Sequence, residues 1–131
     1  MTVVRQRTKG DCACAALSMV AGESYEDTYV EIAVIDPKWR GKRGLYNREL
    51  IAAAARLGIT LHPTRLFDLE TDRGVLRVRP RSPRSPVHEY GHFVALADGA
   101  ISCPQQAVSL SWAEYCERFD ARPATLLKEI A

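Results

Sequence analysis

From Ala13 to Ala21 the chain carries one polar side chain, Ser18, in a run of small and apolar residues. Asp11 precedes the run as an N-cap residue and Gly22 follows it as a left-handed stop, so the pattern predicts a buried helix from about 11 to 21. A second helix starts at once. Ser24-x-x-Asp27 reads as a capping box, Tyr25, Tyr29, Ile32 and Ala33 fall on one face, and Asp36-Pro37 ends the element. Residues 37 to 46, rich in Lys, Arg and Gly, read as an exposed loop. A third helix is predicted over 47 to 57, with Gly58 as its stop.

The periodicity then changes from helical to alternating. Residues 59 to 63 and 74 to 79 read as strands, separated from the next pair by the Pro/Ser/Arg stretch 79 to 86. Residues 92 to 97 and 100 to 103 flank Asp98-Gly99, a strong two-residue hairpin signal. Taking that pair as the turn sets Leu96 opposite Ile101, Val94 opposite Cys103 and His92 opposite Gln105. His92, Val94, Cys103 and Gln105 then share one face. Ser111-Trp-Ala-Glu114 opens a short helix to about 119, and the tail from 125 to 130 reads as a final strand. Helices first and strands second predict an α+β fold, in one domain over 1–131 without repeat or linker.

Composition narrows the picture only slightly. The chain has 131 residues, 47% hydrophobic and 26% charged, with a net charge of +2. That size supports one core, and that charge selects no class of partner. No apolar run is long enough to span a bilayer and the first residues do not form a signal peptide, so the expectation is a cytoplasmic protein without a membrane partner. In that compartment the four cysteines stay reduced. Cys14 and Cys116 read as small buried hydrophobes. The basic runs 38–48 and 73–84 have no accompanying aromatic platform and read as solvated loops, so nucleic acid is not the expected partner.

Two distant pieces carry candidate chemistry. Gln6 stands six positions before Cys12, at a predicted helix start, and His92 opens the strand Gly91-His-Phe-Val-Ala-Leu-Ala. A thiol at a helix N-terminus meets free N–H groups and the positive end of the helix dipole, and both favour the thiolate. Gln6-x5-Cys12 within DCACAALSMVAG, the segment GLYNRELIAAAARLGI from Gly44 to Ile59, and HFVALADGAISCP from His92 to Pro104 together resemble the C39-like branch of the papain-like cysteine peptidases. The resemblance implies a papain-like fold, an N-terminal helical half packed on a C-terminal antiparallel sheet. It implies Cys12 as nucleophile, His92 as its base, and Gln6 with the Cys12 backbone N–H as oxyanion hole. The activity implied is hydrolysis of a peptide or protein substrate without a cofactor. The family usually has Asp where this chain has Cys103, before Pro104, and that Asp orients the histidine. Gln105 is a candidate substitute. Trp39, in its basic loop, is a candidate anchor on a substrate groove.

Two other readings compete. The departure at Cys103 also suits a catalytically weakened domain that binds a peptide without cutting it. His88-Glu89-Tyr90-Gly91-His92 spells H-E-x-x-H, the zinc-protease signature, with Glu114 and Glu117 as candidates for a third ligand. That signature needs a helix. Pro83 and Pro86 upstream, Gly91 within and a strand pattern after it all argue against one, and no metal is expected.

Overall fold

The computed structural model describes residues 1–130, which form four helices and one six-stranded, wholly antiparallel sheet. The helices α1 (Cys12–Ala21), α2 (Tyr25–Ile35) and α3 (Asn47–Arg56) precede the strands β1 (Thr60–Thr64), β2 (Gly74–Pro80), β3 (His92–Ala97), β4 (Ala100–Cys103) and β5 (Val108–Ser111). Helix α4 (Trp112–Arg118) and strand β6 (Ala121–Ile130) complete the chain. The sheet order is β1-β6-β2-β3-β4-β5. The α+β expectation holds at this level.

Sequence dictates the helix ends. Gly22 takes the left-handed conformation (φ 69°) after α1, Ser24 Oγ accepts the Asp27 N–H at 3.0 Å at the start of α2, and the Glu49 carboxylate accepts the Tyr46 N–H at 2.9 Å before α3. Alternation then sorts the strands between two cores. Val75, Phe93, Ala95 and Leu127 face the layer of α1, α2 and α3. Leu76, Val78, Val94, Leu96, Ile101, Cys103 and Leu126 face the opposite way, toward Tyr115 and Cys116 of α4. The molecule is therefore three layers: helices, sheet, and one short helix. α1 is buried along its whole length from Ala13 to Val20, because its alanines let neighbouring backbone approach closely.

The hairpin forms as expected. Asp98 and Gly99 adopt φ of 52° and 73°, and the ladder pairs Ala97 with Ala100 and Leu96 with Ile101. Three expectations are corrected. β6 begins at Ala121, not near 125; its Arg122-Pro123 start hides it. The β2–β6 register shifts at Arg77/Val78, where Val78 meets Pro123 and Arg77 meets Thr125, so Pro123 lies at an irregularity that tolerates its missing N–H. β5 was not foreseen, because four residues of Val-Ser-Leu-Ser are too short to stand out.

The third correction concerns Trp39. Segment 37–46 does not hang in solvent: Trp39 is 0% exposed, its ring centroid lies 5.1 Å from that of Tyr29, and its indole N–H donates to the Arg43 carbonyl at 2.7 Å. Leu45 is buried with it. Trp39 pins this loop to the core rather than offering a ring to a substrate. Trp39→Ala removes a fully buried aromatic and is expected to destabilise the protein by about 3–5 kcal/mol in urea unfolding. An effect below about 1 kcal/mol would contradict this anchoring role.

Candidate active site

The segment before α1 is organised by Asp11. This residue is fully buried, and its carboxylate accepts the Arg7 N–H at 2.9 Å, the Thr8 N–H at 3.0 Å and the Tyr25 O–H. It does not cap α1 with its side chain, as the sequence suggested; its donors lie upstream and on α2. The result is a tight turn that sets Gln6 and Cys12 at its two ends. Gly10 lets this turn lie directly on loop 37–46, since a Cβ there would come within 2.5 Å of the Arg43 nitrogen and the Lys42 carbonyl carbon. On the other side, the Gln6 N–H donates to the Pro104 carbonyl at 3.1 Å, which ties the turn to the end of β4.

These ties surround a cleft of about 730 Å³. Gln6, Cys12, His92 and Gln105 all line it, although up to 99 positions separate them in the chain (Gln6 to Gln105). Cys12 is the first residue of α1 and His92 the first of β3. Tyr46 and Tyr90, 60% and 72% exposed, stand at the rim. Sequence reasoning missed these two, and Arg77 in the wall as well. Trp39 is not among the lining residues.

His92 is 7% exposed, and burial lowers its pKa to about 4. Burial also raises the pKa of Cys12. The backbone N–H groups of Phe93 and Ala13 oppose that rise, and the Asp11 carboxylate adds to it. Burial therefore favours a neutral Cys12 thiol and a neutral His92 imidazole in this cleft. The sequence had suggested a thiolate promoted by the helix start; burial outweighs the helix N-terminus here.

The hairpin register brings Cys103 to His92: Sγ lies 3.4 Å from Nε2. The same sulfur accepts from the Tyr115 O–H at 3.4 Å and from the Gln106 N–H at 3.5 Å. Tyr115 and Gln106 were not foreseen; they reach residue 103 from α4 and from the turn after β4. Gln105 does not sit across from His92, as the extended pairing implied. The chain leaves the ladder after Cys103 in a turn over 104–107, closed by the Ala107 N–H to the Cys103 carbonyl at 2.9 Å. Gln105 is exposed on the rim, and position 103 holds the imidazole edge.

The Gln6 amide is half engaged. Nε2 donates to the Thr8 carbonyl at 2.7 Å, leaving its second N–H uncommitted, and Oε1 is buried with no hydrogen-bond partner among the described residues. A zinc-protease arrangement is not formed. His88 is exposed in a turn while His92 lies buried in a strand, so the two are not one helical turn apart. Among the described residues no group of three or more His, Cys, Asp or Glu is placed to hold a metal ion. Glu114 and Glu117 are exposed on α4. All four cysteines are free. Among the described residues no helix is long and apolar enough to cross a membrane.

Comparison with known proteins returns no matching family model, no matching curated protein and no matching solved structure.

The lowered pKa of His92 makes stability depend on pH. The folded state holds the imidazole neutral down to about pH 4, whereas the unfolded chain protonates near 6.5. The unfolded state therefore binds more protons between these values. Stability is complete above about pH 6.5 and falls as pH drops toward 4, by on the order of 3 kcal/mol from this group. Urea unfolding across that range measures the slope, which is expected to flatten in His92→Gln; an unchanged slope would refute the assignment.

Proposed function

We propose that the chain is a papain-like cysteine peptidase, acting by acyl transfer from a peptide substrate to Cys12. The observation that carries this reading is the convergence of Gln6, Cys12 and His92 on one cleft. Cys12 attacks the carbonyl carbon as His92 takes the thiol proton. Because the pair is neutral at rest, proton transfer accompanies attack rather than preceding it. The oxyanion accepts hydrogen bonds from the Cys12 backbone N–H and the free N–H of Gln6. His92 then gives its proton to the leaving amine, and water releases the acyl group.

A base at Nδ1 of His92 needs its hydrogen on Nε2, where Cys103 Sγ is the acceptor. Cys103 is then the positioning residue for His92, in the role that the family gives to Asp. Sulfur is a weaker acceptor than a carboxylate, so imidazolium is less favoured here. That neutrality supports a second reading, in which the cleft binds a peptide and cuts it slowly or not at all.

A peptidyl acyloxymethyl ketone tests the chemistry, because it alkylates thiols aligned with a base and scarcely reacts with ordinary ones. Modification at Cys12, slowed at least tenfold in His92→Ala, is the expected result. Equal rates in both proteins would remove the peptidase and leave the binding domain. Cys103→Asp tests the positioning role. A carboxylate against Nε2 raises an imidazole pKa by roughly 1–3 units, so Cys12 alkylation at pH 6.5 is expected to accelerate about tenfold or more, and Cys103→Ala to slow it. If neither variant changes the rate, Cys103 does not position His92.

A further inference from the structure

The charges around the cleft are one-sided. The chain has 18 basic and 16 acidic residues, close to balance. Yet Lys9, Lys42, Arg43 and Arg77 line the cleft, and among the described residues no Asp or Glu does. Asp11, beneath Cys12, is turned inward onto the Arg7 and Thr8 N–H groups and the Tyr25 hydroxyl. Arg43 is committed to Asp36. Arg77 pairs with no carboxylate among the described residues.

Arg77 is also held in place. It lies on β2 directly across from Phe93 of β3, and its guanidinium carbon sits 4.8 Å from the Phe93 ring centroid. Its aliphatic stem passes over Gly91. A Cβ on Gly91 would come within 3.1 Å of Arg77 Cγ and 3.2 Å of Cδ, and the φ of +100° there suits glycine alone. Phe93 follows His92, and its N–H bears on the Cys12 thiol. A charge on Cys12 in turn acts on Arg77, so the two lie within electrostatic reach. Arg77 also borders a second, shallower depression with Tyr46, Asn47 and Arg48. A half-buried guanidinium, stacked on a ring and lacking an anion, is a prepared acceptor for a carboxylate.

We propose that this cleft selects acidic peptides, with Arg77 pairing with an Asp or Glu side chain of the ligand close to Cys12 while Lys9 and Lys42 attract the acidic segment from the rim. The proposal rests on the peptide-cleft reading but not on cleavage. The exposed rings of Tyr46 and Tyr90 give a peptide apolar contact at the rim of the same cleft. Net attraction of this kind also raises encounter rates and weakens with salt.

The test uses the full chain carrying Cys12→Ala, so that binding is measured apart from chemistry. Fluorescein-labelled decapeptide pools, degenerate except for two adjacent fixed Glu, Gln or Lys residues, are titrated by anisotropy at low and high salt. The Glu pool is expected to bind at least tenfold tighter than the Gln pool, with the gap shrinking in high salt. Arg77→Gln is expected to abolish that preference and Arg77→Lys to retain part of it. Arg84→Gln, exposed outside the cleft, should leave it unchanged. Thermal melts of each variant confirm folding. Equal binding of the three pools, no binding of the Glu pool, or a preference that survives Arg77→Gln in folded protein would overturn the proposal. So would displacement of the Glu pool by a single-stranded oligonucleotide of the same charge at equal concentration. Acidic selectivity without ketone labelling of Cys12 would sink the peptidase and leave this inference standing.

Discussion

The buried carboxylate of Asp11 is the constraint from which the rest of the cleft follows. A charge removed from water is costly unless donors surround it, and here two backbone N–H groups and a tyrosine hydroxyl do so. Those donors come from the turn ahead of α1 and from the start of α2, so satisfying one side chain fixes the path of both. The turn cannot relax without stranding the charge. Its two ends present Gln6 and Cys12, and its middle, at Gly10, lies against the loop that Trp39 pins. The geometry of the cleft is thus a by-product of solvating one anion.

That arrangement has an electrostatic consequence. The anion under α1 opposes a second negative charge on Cys12, and burial opposes it further. Burial equally opposes a positive charge on His92. Both groups rest neutral, with a sulfur rather than a carboxylate against the outer edge of the imidazole. Arg77 in the wall stands within electrostatic reach of Cys12, so a bound anion and a thiolate there compete for the same positive charge.

Much of this was legible in the chain. The helices announced themselves through Ser24, Gly22 and Gly58, and Asp98-Gly99 fixed the hairpin register that sets Cys103 against His92. The spacing from Gln6 to Cys12 and the opening of β3 at His92 picked out three residues that now line one cleft. What stayed hidden depended on tertiary packing. Trp39 sat among charged and glycine residues that read as solvent, while its ring was destined for Tyr29. Arg77 interrupted an apolar strand, which local pattern cannot distinguish from an edge charge. The donors to Cys103 come from a turn and from α4, and no spacing rule links them.

The burial of α1 has a further implication. From Ala13 to Val20 every residue is enclosed, so the scaffold beneath Cys12 has no spare volume for adjustment. Change is confined to the rim, in segments 42–46 and 88–91 and at Gln105, where side chains meet solvent or the cleft. Most of the rim and the placement of the nucleophile are therefore written in separate stretches of chain, with Arg77 in the sheet and Lys9 in the turn before Cys12 as the exceptions. A redesign could exchange the first like a fitting while leaving the second untouched.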